Sequence, residues 1–196
     1  MRRPIMDTPE QLESLEGQQY LVLRPSGAVA ATYRDVQDGS LARLGAPIPR
    51  PHTGHVTLRG FFEPGRREKL AALIRTWAAH QPPIEVRAVA VDEFSAPWQI
   101  LIVRLARTES LVSAYSTLTT ALDETDVRRL GELPLEHWTF HLSVLYGKTL
   151  EPAEWTRFAQ AESRPIEPAP ADTVTEAELV WYADGIEHAE VLPLGG

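Results

Sequence analysis

Cysteine is missing altogether from the 196 residues. That excludes disulfides, thiolate zinc sites and any thiol nucleophile. Lysine is almost missing, with only Lys69 and Lys148. The cations are therefore arginines, a bias that genome composition explains as readily as anionic ligands do. No apolar run approaches the ~20 residues that span a bilayer. The arginines of Met1-Arg-Arg-Pro-Ile-Met-Asp7 are followed by no apolar core of a signal peptide. A cytoplasmic protein without a membrane partner is the expectation. Basic residues are also short, 19 against 27 acidic ones, for a net charge of −8. The deficit is uneven: residues 1–98 carry 12 basic against 11 acidic side chains, and residues 99–196 carry 7 against 16. Broad binding to a DNA or RNA backbone is disfavoured at long range. A small phosphorylated ligand, or the end of an RNA, remains open where arginines gather. A hydrophobic fraction of 43% is ordinary for a globular chain of this length. It predicts one domain, or two intimately packed lobes, over residues 1–196.

Read in order, Thr8-Pro9-Glu10-Gln11 has the form of a helix start with a capping box, although residues 1–16 are equally consistent with a flexible tail. Gln19 to Arg24 reads as a strand, and 28–44 as helical with an interruption near Gly39. Pro47, Pro49 and Pro51 impose an extended approach to His52 and His55. Two similar passages follow. The first is a strand over 54–62, a helix over 66–80 and strands near 84–94 and 98–107; a further helix is expected over 109–129. The second is a strand over 139–146, a helix over 152–161 and strands near 173–183 and 187–193. Strand with histidine, helix, strand, strand thus occurs twice, as in an α+β duplication built from antiparallel sheets.

Chemistry concentrates on the two histidine strands. Along 139–146 the period of two sends Phe140, Leu142 and Val144 to one face, and His141 and Ser143 to the other. Gly54-His55-Val-Thr57-Leu58 repeats the pattern of histidine, apolar, hydroxyl, apolar. One such histidine is more often structural than catalytic. Two matched polar faces on apolar strands are costly unless used. Cleaving a phosphoester needs a base for the attacking oxygen and an acid for the leaving one, and histidine serves both near neutral pH. Thr57 and Ser143 are suited to hydrogen-bond the non-bridging oxygens. No metal or cofactor is required.

The doubled motif, His55-Val-Thr-Leu58 and His141-Leu-Ser-Val144, resembles that of the two-histidine (2H) phosphoesterase superfamily, which includes bacterial 2′-5′ RNA ligases and cyclic nucleotide phosphodiesterases. The segment His141 to Gly147 is particularly similar to the second motif of plant and fungal cyclic phosphodiesterases. The resemblance implies a bilobal α+β fold: two pseudosymmetric antiparallel-sheet lobes, outer helices, and a central groove where both histidines meet. It implies His55 and His141 as acid and base, with Thr57 and Ser143 on the phosphate. The substrate implied is a 2′,3′-cyclic phosphate or 2′-5′ linkage on a small nucleotide or RNA end, handled without metal by a monomer. The joining direction, or an RNA-end binding role with little turnover, are the alternatives. Serine replaces the commoner threonine in the second motif. Gly60-Phe61-Phe62 stands where ligase-type members often have a Phe-Leu-Gly-like run, so the substrate subclass stays open.

Weaker candidates surround the motifs. Arg59 shares the parity of His55 and Thr57 and would complement a phosphate from the groove. Tyr146 falls on the core parity and needs a bulge to reach the groove as a base-contacting ring. Trp138 and Phe61 are read as packing before base stacking. Arg24 resembles the polar residue that ends the first strand in the family, and would contact base or ribose. A zinc site on His52 and His55, or on His137 and His141, lacks a carboxylate or thiolate partner. His80 and His188 have no patterned neighbours.

Overall fold

The computed structural model describes residues 2–195; Met1 and Gly196, the ends of the expected domain, lie outside the described residues. Ten strands form one sheet: β1 Gln19–Leu23, β2 Val56–Phe61, β3 Ile84–Phe94, β4 Ile100–Leu105, β5 Arg129–Leu130, β6 His141–Tyr146, β7 Arg164–Pro165, β8 Ala171–Val174, β9 Glu176–Ala183 and β10 Ile186–Pro193. The helices are α1 Pro9–Ser14, α2 Ala28–Leu44, α3 Arg67–Ala79, α4 Glu109–Asp123 and α5 Pro152–Glu162. The fold is α+β, as expected. The capping box at Thr8 and Gln11 is formed, and residues 9–14 are a helix rather than a tail. Gly39 does not interrupt α2. Helix α4 stops at Asp123 instead of reaching 129: Asp123, Glu124 and Asp126 crowd the negative end of its dipole. The chain beyond is then free to pair β5 with Gly60 and Phe61 of β2.

Strand order is β10-β9-β1-β2-β6-β4-β3-β7, with β5 on β2 and β8 on β3, and every pairing is antiparallel. The histidine strands β2 and β6 lie side by side at the centre, each the inner edge of a four-stranded half. The halves are interlaced. Strands β3 and β4 follow the His55 strand in the chain but flank the His141 strand, whereas β9 and β10 follow the His141 strand and join the half of the His55 strand. A single residue pair, Val56 opposite Leu142, joins the halves.

Leu12 of α1 packs on one face of the sheet, while helices α2 to α5 cover the other. Leu70, Ile74 and Trp77 of α3 and Leu111, Tyr115, Leu118 and Leu122 of α4 are buried there, as their three-to-four spacing requires. They pack with Leu21, Leu23, Val56, Leu58, Leu142 and Val144 in the main core. The opposite face carries a smaller apolar cluster, in which Ile5 and Met6 pack on Val22, Val180 and Tyr182. That second face holds the histidines.

Candidate active site

Val56 and Leu142 are fully buried, so their neighbours in each strand point to the other face. Extending the antiparallel register by one residue each way sets His55 opposite Ser143 and Thr57 opposite His141. Each histidine therefore faces the hydroxyl of the other motif. In a regular pair such diagonal positions lie about 7–8 Å apart, enough for a phosphate between two rings. Gly54 makes the approach to His55: a Cβ there would meet the Tyr33 ring at 2.8 Å and Leu142 Cδ2 at 3.0 Å. Both imidazoles are anchored alike, with Nδ1 of His141 2.8 Å from Thr139 O and Nδ1 of His55 3.4 Å from Thr53 O. A carbonyl can only accept, so Nδ1 carries the proton and Nε2 offers its lone pair.

Each motif contains a β-bulge at its fourth position. On β2, Thr57 pairs with Val22 and Arg59 with Leu21, leaving Leu58 as the extra residue. On β6, Ser143 pairs with Ile102 and Leu145 with Leu101, leaving Val144 extra. A bulge reverses facing beyond it. It carries Tyr146 into the groove, where it lines a cavity of about 150 Å³ with His55, Thr57, Ser143, Tyr20 and Tyr182.

The same device corrects the expectation for Arg59. Past Leu58 its side chain turns to the helical face and is fully buried. Its guanidinium lies 2.7 Å from Glu132, 2.6 Å from Thr119 Oγ1 and 3.1 Å from the Tyr115 hydroxyl, over the Tyr115 ring. Arg59 does not reach the groove. Trp138 and Phe140 pack against Tyr115 on that same face, and Phe61 is fully buried, so Trp138 and Phe61 are packing as expected.

Over the groove runs the N-terminal segment. Ile5 and Met6 line the cavity from above, and both are buried. Glu187 latches them: its buried carboxylate accepts hydrogen bonds from the Ile5 and Met6 amides, Arg2 and the Tyr182 hydroxyl. His52 N also donates to Ile5 O at 2.7 Å, and its ring pairs with Asp7. Arg24 is held nearby, 2.8 Å from Glu178, and donates to Thr53 Oγ1 and Arg3 O. Replacing Glu187 with Ala is expected to cost about 2 kcal/mol or more by orphaning these donors. Hydrogen exchange at the Ile5 and Met6 amides would accelerate, and unchanged protection would contradict the latch.

The model of the 2′-5′ RNA ligase superfamily matches residues 25–186 of this chain. The chain belongs to that superfamily. Structural similarity extends the match. TT0787 of Thermus thermophilus superposes with TM-score 0.68 at 18% identity, over 91% of this chain and 98% of that one. E. coli LigT, solved with 3′-AMP, gives 0.58 at 14% identity, over 90% and 95%. Kluyveromyces marxianus Usb1 gives 0.54 at 10% identity, over 91% and 99%. A sequence search of curated proteins found no match. At these identities the solved structures speak for the fold alone.

In this superfamily member, burial pushes the His55 pKa down to about 4; the Thr53 carbonyl opposes that, while Arg24 and His141 add to it. Burial also lowers His141, against the pull of Thr139 O. Both rings are thus neutral near pH 7 while the groove is empty. Burial raises Tyr146 to about 12 and Tyr182 further, so both stay protonated and able to donate. The strand register sets His141 beside Thr57 and diagonal to His55. His55, Thr57, Ser143 and Tyr146 line the cavity, whereas the His141 ring is outside that lining and packs edge-on against Phe94 at 4.9 Å. Arg24 stands beside the group and acts on His55 through its charge. His80 is exposed, and His188 stacks on Trp181 away from the groove. Among the described residues no cluster of three metal-ligating side chains occurs, and no helix is long and apolar enough to cross a membrane. The motif reading missed Tyr20, Tyr182 and Glu187, which reach the groove by cross-strand pairing and share no local pattern.

Proposed function

We propose that this 2′-5′ RNA ligase superfamily protein is a metal-independent phosphoesterase that hydrolyses 2′,3′-cyclic phosphates of nucleotides or RNA ends. The observation that carries the reading is the quartet around the Val56–Leu142 pair, with two histidines diagonal and a hydroxyl facing each. A phosphate seated there has a lone-pair nitrogen on either side and Thr57, Ser143 and Tyr146 for its non-bridging oxygens. One histidine takes a proton from water as its oxygen bonds to phosphorus. The other, protonated, gives its proton to the departing ribose oxygen as that P–O bond breaks. The bound phosphate's negative charge favours the imidazolium that this step needs. The superfamily description favours one further reading: with a ribose 5′-hydroxyl in place of water, the same steps form a 2′-5′ linkage.

The assay that separates the readings offers the protein nucleoside 2′,3′-cyclic phosphates, 2′-5′-linked dinucleotides and RNA ends to be joined, all with EDTA. Undiminished hydrolysis of the cyclic phosphates is expected. Loss of turnover with EDTA, or joining without cyclic phosphate hydrolysis, would overturn the proposal.

The free protein's pH profile follows from the depressed histidines. Turnover requires one ring protonated and one neutral, and both pKa values lie below 6.5 in the empty groove. The fraction with one proton falls as pH rises above them. The optimum of kcat/KM, which reports the free enzyme, should therefore lie below pH 6.5, with that of kcat displaced upward by the bound phosphate. A kcat/KM optimum above pH 7 would contradict this arrangement.

A further inference from the structure

The segment whose Ile5 and Met6 cover the groove lends Arg2 and Arg3 to a second, larger cavity of about 370 Å³. This cavity abuts Gly54, the residue before His55, and Leu142 of β6. Arg24 and Arg34 complete its cationic lining, so four of the chain's 19 basic residues converge on one hollow. Glu178 is its one carboxylate, shared by Arg2 at 2.9 Å and Arg24 at 2.8 Å. Glu187 takes the other contact of Arg2 at 2.7 Å. Among the described residues, Arg3 and Arg34 meet no carboxylate. Four guanidiniums against these two carboxylates and Asp172 at the rim leave a local surplus of positive charge on a chain whose net charge is −8.

A further observation points to an anion. The 17-residue helix α2 also opens onto the cavity through Ser26 and Ala30, and its Gly27 cap supplies no side chain to the first turn. The positive end of its dipole is turned toward the same hollow. Asp172 already bonds Gly27 N, at the rim.

We infer that this arginine-lined cavity is a second phosphate subsite. It holds a phosphate other than the one cleaved, so the favoured substrate carries two. The inference rests on the proposed cyclic phosphodiesterase reading for the identity of the scissile group. Two chemical sources supply the second phosphate: a 5′-phosphate on the same nucleoside, or the internucleotide phosphate of an RNA end.

Calorimetry on the full chain distinguishes them without requiring turnover. Adenosine 3′-monophosphate, adenosine 3′,5′-bisphosphate and the dinucleotide ApAp would be titrated into the wild type and into Arg3→Glu/Arg34→Glu, two exposed positions. At least tenfold tighter binding is expected for whichever ligand places its extra phosphate in the cavity, and the charge-reversed variant should lose that gain. A gain for the bisphosphate alone assigns the terminal source, and one for ApAp alone assigns the internucleotide source. Equal affinities within twofold for all three, or a gain undiminished in the variant, would overturn the subsite. Hydrolysis of cyclic phosphates without any gain would leave the catalytic reading standing and remove the subsite. A gain without hydrolysis would do the reverse.

Discussion

Changing either His55 or His141 to Ala should lower kcat toward cyclic phosphates by about 10²–10⁴, the usual worth of one positioned acid or base. The double variant should be little worse than the poorer single one. A proton taken without one to give, or the converse, leaves the same unassisted step, and groups acting as a unit are not additive. KM should move less than kcat, because in the proposed mechanism Thr57, Ser143 and Tyr146 would still hold the phosphate. Steady-state kinetics on the three variants, with unfolding checked by circular dichroism, reads this directly. Independent, multiplying losses would mean that the rings do not work on one phosphorus.

The second large effect is on stability and lies on the other face of the sheet. Arg59 is fully buried and its charge is answered by Glu132, which is 31% exposed. Removing the partner of a buried charge costs more than replacing the charge with an apolar side chain. Glu132→Ala should therefore destabilise the protein by roughly 3 kcal/mol, the low end of the range for broken buried pairs because Glu132 is partly solvated. Arg59→Leu should cost less. Leu145, at the corresponding position of the other motif, is buried apolar in the native chain. Tyr115 retains Leu133 O as its acceptor, and Thr119 retains Tyr115 O. Denaturant midpoints check the order of the two variants. A fall in turnover per folded molecule for Arg59→Leu, with stability intact, would return Arg59 to the phosphate.

The four groove residues were legible because they lie before the bulges, where strict alternation holds. Past the fourth position of each motif alternation misleads. It placed Arg59 in the groove and left Tyr146 on the core side. Both follow from one extra residue per strand, and neither Leu58 nor Val144 carries a local mark of being extra. The interlacing of the halves was equally hidden. Each β-pair follows one histidine strand in the chain but builds the half of the other, a choice made by long-range pairing rather than local pattern. Thr8 and Gln11 announced α1, yet nothing in Arg2–Met6 announced its place over the groove. That depends on Glu187, more than 180 residues away along the chain, one of two glutamates on β10 and without a local mark of its role.

The central claim is that the two histidines serve one phosphorus as acid and base, and product regiochemistry tests it most directly. The four nucleoside 2′,3′-cyclic phosphates would be hydrolysed in ¹⁸O-water with EDTA by the wild type, His55→Ala and His141→Ala. The account predicts one regioisomer, either the 2′- or the 3′-monophosphate, with the isotope on phosphorus, and near-complete loss in both variants. A mixture of regioisomers, or turnover that survives either substitution, would contradict it.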